Sequence, residues 1–383
     1  MVKMQVNTIP PVDLVRQYES INKEIDNTIL EVVRSGHYIG GSVVQDFEKQ
    51  LAQYIGTSEC LTCNSGTDAL YLALKALNIG FGDEVITTPF SFIATAETIS
   101  LAGAKPIFAD IERNTFNLDL ENIEKIINPK VKAIIVVHLF GQPVNMTRLM
   151  EIANKHNLYV IEDCAQATGA KWNNKTVGSI GHIGCFSFFP TKNLGACGDG
   201  GAITTNDYAI GQTIKIIKEH GSMKRYHHDV VGINSRLDAI QAAILQVKLR
   251  YLDKWNEERR EIAHYYHKLL SSIPMIQLPE EIIGGYHVWN QYTILVANGI
   301  DNNKDYNRDF LKKYLQDKGI ISMVYYPIPI HLQKVYANLG YQKTSFPITE
   351  QVSYEVLSLP MFPGMLTQEQ KRVANAIATS FNQ

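Results

Sequence analysis

The chain has 383 residues, 45% of them hydrophobic and 19% charged, and its 36 basic and 38 acidic residues leave a formal net charge of −2. That balance makes no electrostatic case for nucleic acid or an anionic membrane surface, and no uninterrupted apolar run approaches the roughly 20 residues of a spanning helix. Five cysteines, an odd number in mostly apolar surroundings, read as reduced, and Met1–Pro11 carries no apolar leader core, so a cytoplasmic setting is expected.

Cys60-Leu-Thr-Cys63 reads as part of a short strand, Cys60–Thr62. No second CxxC or histidine pair stands at ligand spacing, so no metal is expected there. Asn64-Ser-Gly-Thr-Asp-Ala-Leu70 follows, with a strand ending near Thr62 and a helix starting near Thr67. Free N–H groups at a helix start favour an anion, Gly66 permits close backbone approach, and Ser65 and Thr67 add hydroxyls. The segment therefore suits a phosphate, although a plain N-cap by Ser65 or Thr67 explains it equally well.

Apolar runs then recur at Glu84–Thr88, Pro106–Asp110, Ala133–His138, Leu158–Asp163, Ile183–Phe188 and Gly201–Thr205. Segments of helical period lie between most of them, at Asp68–Leu77, Ala94–Ala102, Leu120–Ile127 and Thr147–His156. Apolar runs with little alternation, separated by helices, indicate an α/β body with a mainly parallel sheet covered on both faces. In such sheets ligands collect at the carboxyl ends of the strands, where Asp110, His138 and Asp163 fall. A charged amphipathic helix over Leu252–Leu270 follows, and the pattern then changes to mixed strands and helices. The expected division is a large body over 1–252, N-terminal segment included, and a smaller C-terminal α+β domain over 253–383.

Leu158-Tyr-Val-Ile-Glu-Asp163 delivers a carboxylate to a strand end, with Gln166 three residues on. An ionised carboxylate there is costly without a cation or several donors. An N-cap role would account for Asp163 without any ligand. Phe186-Ser-Phe-Phe-Pro-Thr-Lys192 sets a lysine between an aromatic run and a glycine-rich loop, Gly195–Gly201. An amine in apolar, glycine-lined surroundings loses its proton readily and becomes a nucleophile. Phosphate grip, cation-pairing carboxylate and reactive amine together describe a site for pyridoxal 5′-phosphate (PLP). Phe92 is placed to stack on its ring, and Ser187 to add a phosphate donor. Core packing is the competing account of Phe92.

These motifs resemble the DegT/StrS-type nucleotide-sugar aminotransferases. Asn64–Leu70, Glu162–Gln166, Phe186–Lys192 with Gly198–Gly201, and Gly232-Ile-Asn-Ser-Arg-Leu-Asp238 carry the likeness, which runs from about Pro11 to the C-terminus and takes in Ser35–Gly41 and Tyr325–Pro329. The resemblance implies a fold type I PLP-dependent aminotransferase, its large domain built on a mainly parallel seven-stranded sheet, and a homodimer with shared active sites. By position Lys192 would be the Schiff-base lysine and Asp163 the partner of the ring nitrogen. Gln166 would sit near the ring hydroxyl, and Ser65, Gly66, Thr67 and Ser187 would hold the phosphate, with Asn234 reaching it from the other subunit. Tyr38, Arg236, Tyr325, Tyr326 and His331 would touch the substrate. Dehydratases similar to this family carry histidine where this chain has Lys192, so the lysine favours transamination. L-Glutamate would leave as 2-oxoglutarate, converting PLP to pyridoxamine phosphate, and a nucleotide-linked keto-sugar would take the amine. The 220–236 segment looks most like members that aminate C3 of dTDP- or UDP-linked 3-keto-hexoses. A C4-specific enzyme, a sugar dehydratase and a PLP-bound regulator are the alternatives. Tyr325 departs from the His-Tyr-Pro that many members carry here.

Overall fold

A computed structural model describes residues 8–301 and 304–381. Residues 1–7, on which most of the leader reading rests, and the ends of the expected bodies lie outside them. The larger body is built on seven strands: β1 (Glu59–Cys63), β2 (Glu84–Thr87), β3 (Lys105–Phe108), β4 (Val131–Val137), β5 (Tyr159–Asp163), β6 (Ile183–Ser187) and β7 (Gly201–Thr205). Their spatial order is β1-β7-β6-β5-β4-β2-β3. The neighbours β6, β5, β4, β2 and β3 pair in parallel, and β7 alone runs antiparallel to both its partners.

Helices cover both faces, which is why the strands read as apolar runs. Alternate residues divide between the two faces. Ile135, Ile161 and Ile203 pack under helices Gly66–Ala76 and Tyr208–Ile217, through Leu70 and Ile214 among others. Ile134, Val136 and Val160 pack with Leu149 and Ile152 of helix Met146–His156. Phe186 packs on that side with Phe47, Leu51 and Leu245, from helices Ser42–Ile55 and Ala239–Leu249. Because β7 is reversed, its first residue meets the last residues of its neighbours, so that Gly201 lies opposite both Cys63 and Ser187. The carboxyl edge thus gathers the ends of β1, β5 and β6 and the start of β7.

Two expectations change. The helix expected over Leu120–Ile127 is α-helical only to Ile123, and Glu124–Ile126 tightens into a 3₁₀ turn. The N-terminal segment was assigned wholly to the larger body, yet residues 9–16 join the smaller one. Ile9, 2% exposed, sits in the C-terminal core and pairs with Ile320, and Arg16 makes a bidentate pair with Glu369 at 2.8 and 2.9 Å. An apolar side chain buries where complementary surface exists, whatever its place in the chain.

The smaller body centres on an antiparallel sheet of β8 (Ile276–Gln277), β9 (Tyr292–Val296) and β10 (Val356–Leu359). The helix Leu252–Leu270 serves both bodies. Its Trp255 packs with Ile21, Ile25 and Ile244, while Ile262, Tyr266 and Leu270 enter the C-terminal core. Among the described residues no helix is long and apolar enough to cross a membrane.

Candidate active site

The end of β5 holds Asp163, buried, with its two oxygens already oriented. One accepts from the Thr95 hydroxyl at 2.9 Å and the other from the Ala165 N–H at 3.1 Å. Burial pushes its pKa up, and the Ala165 and Thr95 donors, Lys192 and His138 pull it back. The group is a carboxylate held in low dielectric with little cationic compensation from the chain.

Lys192 lies in the turn after β6, its N–H bonded to the Phe189 carbonyl at 2.9 Å. Three anchors fix that turn. Ala196 N–H donates to Phe188 O at 2.7 Å, Asn193 Nδ2 donates to Asn256 Oδ1 at 2.7 Å, and Lys248 Nζ donates to Gly195 O at 2.7 Å. The Lys192 side chain as a whole keeps some solvent access, but the surroundings of its amine are dense enough that desolvation dominates. It lowers the ammonium pKa from 10.5 to about 8, against the opposing attraction of Asp163.

A cradle adjoins this pair at the ends of β1 and β6. Ser65 caps helix Gly66–Ala76, its Oγ accepting from Asp68 N at 3.1 Å and its carbonyl from Ala69 N at 3.0 Å. The N–H groups of Gly66 and Thr67 precede the first turn and have no acceptor among the described residues. Space here is minimal. A Cβ on Gly66 would fall 2.7 Å from Ser187 Cβ, and one on Gly201 would fall 2.3 Å from the Ser65 carbonyl oxygen. The Ser187 hydroxyl accepts from Phe189 N at 3.3 Å, which leaves its own proton free to donate. Two unpaired N–H groups at a helix start, with hydroxyls beside them, form an anion site.

Gln166 stands beside Asp163. Its Oε1 accepts from Phe140 N at 2.7 Å, and its Nε2 donates to the Tyr326 hydroxyl at 3.0 Å. The Tyr326 ring lies 6.4 Å from Phe92, which is 58% exposed, and 5.8 Å from Tyr325. The structure therefore brings Asp163, Lys192, Gln166, Phe92 and Tyr326 into one group next to Ser65, Gly66, Thr67 and Ser187. Asn234 and Tyr38 are exposed on the single chain, and the Arg236 guanidinium lies 3.7 Å from Glu219. The residue after Asn234 nonetheless meets the cradle, since the Ser235 hydroxyl donates to Asn64 Oδ1 at 3.2 Å. His331 is turned elsewhere: it is 2% exposed, its Nε2 is 3.2 Å from Glu350, and it packs edge-on to Phe346.

Sequence reading passed over two supports of Asp163. Thr95 gives no local signal, being one of several buried threonines on a helix. Glu162 did give one, a charge inside an apolar strand. It is fully buried, accepting from Gly178, Ile180 and Gly181 N–H at 2.9, 2.8 and 2.6 Å. His138 Nδ1 accepts from Val144 N at 3.1 Å, so its Nε2–H donates to Glu162 at 3.0 Å. Ligand atoms of His138, Glu162 and Cys164 approach within 4.8 Å of one another. The carboxylate's lone pairs are already used, however, and burial holds the Cys164 thiol well above its usual pKa. The cluster is a structural knot that fixes the strand bearing Asp163.

Residues 19–378 match the model of the DegT/DnrJ/EryC1/StrS aminotransferase family. A "pleiotropic regulatory protein" of Geobacillus stearothermophilus is 47% identical over 372 residues, covering 97% of this chain and 98% of that protein. The UDP-N-acetyl-3-dehydro-alpha-D-glucosamine 3-aminotransferase of Acidithiobacillus ferrooxidans is 44% identical over 373 residues, covering 97% and 98%. Among solved structures, S. venezuelae DesV in complex with a ketimine intermediate superposes with a TM-score of 0.93 at 37% identity, covering 97% of this chain and 98% of that one. The chain belongs to the DegT/DnrJ/EryC1/StrS family and is an aminotransferase.

Proposed function

We propose that the chain transfers an amino group from L-glutamate to C3 of a keto-hexose carried on dTDP or UDP, with PLP as resident cofactor and pyridoxamine phosphate as its amine-bearing form. The product would feed surface-polysaccharide or secondary-metabolite assembly. The reading includes a cytoplasmic homodimer in which Asn234 reaches the phosphate bound by the neighbouring subunit. Amination of C3 rests on the likeness to the Acidithiobacillus 3-aminotransferase. The observation that carries the chemistry is the pairing of a desolvated Lys192 amine, its pKa lowered to about 8, with a buried Asp163 at one strand edge.

The residues present fit PLP on three grounds. The helix N-terminus at Gly66 and Thr67, with Ser65 and Ser187, offers donors to a phosphate. Gly66 and Gly201 lack the Cβ atoms that would close that cradle. Asp163 is a carboxylate that a protonated ring nitrogen would compensate. When bound, PLP supplies an aldehyde for amine attachment and a ring that accepts an electron pair.

The chain's own residues do the rest. Asp163 holds a negative charge at the floor of the site, kept oriented by Thr95 and Ala165. Lys192 Nζ, with a pKa near 8, is poised close to neutrality to take a proton and return it. Gln166 offers an N–H from a carboxamide whose oxygen is tied down. Phe92 and Tyr326 set aromatic rings along one side of the site.

The test offers the PLP-loaded protein L-glutamate and a panel of 3-keto and 4-keto nucleotide sugars. Release of 2-oxoglutarate together with a 3-amino sugar nucleotide is expected. Amination confined to 4-keto acceptors moves the reading to C4. An elimination product, or an unchanged cofactor spectrum with every amino donor, overturns it. A spectrum that responds to donors, with no acceptor turned over, favours the role that the Geobacillus relative's name describes.

A further inference from the structure

The geometry points to Tyr326 as a positioning residue of the cofactor site that acts through Gln166, and not as a contact to the nucleotide sugar. The inference rests on the reading of Lys192, Asp163 and Gln166 as a PLP site.

A carboxamide has a donor end and an acceptor end, and its partners decide which faces which way. The Gln166 oxygen accepts the Phe140 N–H at 2.7 Å, so Nε2 is the end that meets the Tyr326 hydroxyl at 3.0 Å. One Nε2 hydrogen is then spent on Tyr326, and the second is left to face the ring oxygen of a bound cofactor. Without the Tyr326 acceptor, the amide would be held at its oxygen alone, and the aim of that hydrogen would loosen.

The supporting structure is costly to build. Phe140 is held at φ 57° and ψ 7°, a left-handed conformation uncommon for a bulky aromatic. It is locked there by its buried ring, edge-on to Phe90 at 6.3 Å and to Phe116 at 5.6 Å. Tyr326 stands edge-on to the same Phe90 at 6.1 Å. Backbone strain persists where the surroundings over-determine it, and such sites tend to be functional. Burial raises the Tyr326 phenol pKa, and the nearby Asp163 charge adds to that, so the hydroxyl stays protonated and neutral. Tyr326 comes from the C-terminal half of the chain, so this bond joins those at Asn193 and Gly195 in tying that half to the cofactor floor.

The test uses Tyr326→Phe, Gln166→Ala and the double variant, each loaded with PLP and without sugar. Tyr326→Phe keeps the ring in its aromatic cluster and removes only the acceptor, and thermal melting checks the fold. The readout is the pH dependence of the cofactor's visible absorbance. A donor aimed at the ring oxygen favours its anionic form, so the midpoint is expected to rise by about half a unit or more in Tyr326→Phe. In the Gln166→Ala background, Tyr326→Phe is expected to add nothing. Kinetically, kcat of the glutamate half-reaction should fall roughly tenfold while KM for the nucleotide sugar stays within about twofold. An unmoved midpoint with a raised sugar KM overturns the inference, as do additive shifts in the double variant. The absorbance titration needs no amino acceptor. A protein that shows the shift but aminates no sugar removes the proposed function and keeps this assignment, and one that aminates the sugar without the shift does the reverse.

Discussion

At Lys192 two influences oppose each other. Asp163 draws a proton toward the amine, while desolvation expels it, and desolvation wins. The sign of the stability effect follows. The folded pKa is about 8 and the ordinary value 10.5. Below pH 8 the folded and unfolded chains both hold the proton, and the full burial penalty applies. Between 8 and 10.5 only the unfolded chain holds it, so stability rises with pH across that window. Urea unfolding of the cofactor-free protein should show this slope, and Lys192→Met should flatten it. Parallel curves would mean that the amine is not desolvated. Lys192→Ala should also abolish turnover while leaving the fold intact, as read by activity beside circular dichroism. Asp163→Asn keeps the shape and removes the charge. Loss of such a preorganised partner costs on the order of 10²–10³ in kcat, and that is the expected drop. Lys192 and Asp163 were legible in the sequence because each is a charged group where the pattern predicts apolar burial. Thr95 was not, since a hydroxyl on a buried helix costs little and leaves no such mark.

At the scale of elements, the site depends on strand ends meeting without side chains between them. Gly66→Ala would set a Cβ 2.7 Å from Ser187 Cβ, a contact between stems that cannot rotate away. Overpacking of this kind costs about 1–3 kcal/mol. The helix start and the end of β6 would be forced apart, and PLP affinity should fall at least about tenfold together with Tm. Cofactor binding unchanged in a folded Gly66→Ala variant would place the phosphate elsewhere. Ser65→Ala separates two roles of one hydroxyl. As an N-cap alone it is worth about 1 kcal/mol of stability, and any additional loss of cofactor affinity measures its donation to phosphate. The strands themselves were readable because burial on both faces makes each an apolar run, and Asp163 falls at the end of its strand as expected. The reversal of β7 was not readable, since Gly201–Thr205 is buried along its whole length and carries no directional mark. The Gln166 partners were equally hidden: Phe140 and Tyr326 lie far from it in the chain, and the left-handed Phe140 backbone has no glycine to announce it. The helix after Leu120 gave way to a 3₁₀ turn at Glu124, a tightening that the apolar spacing does not mark.

At the scale of the whole molecule, the single chain leaves its site open. Phe92 is 58% and Tyr38 48% exposed, Asn234 is exposed, and apolar Val231, three residues before Asn234, is 95% exposed. Exposed aromatic and aliphatic side chains of that kind suit contact with a partner surface. If the face is covered by a second copy, with Asn234 completing the phosphate site of its neighbour, the two halves of the site can be inactivated on different chains. Lys192→Ala and Asn234→Ala homodimers should each be impaired, the first in turnover and the second in cofactor retention. After mixing, unfolding and refolding together, a mixed dimer carries both lesions in one site and none in the other. Random two-fold association then restores about a quarter of the unmodified activity, since about half the dimers are mixed and each has one whole site. Recovery at that level requires Lys192 and Asn234 to serve one site from different chains. No recovery, with mixed dimers shown by mass spectrometry, would mean that each chain builds its site alone and that the exposed face has another use.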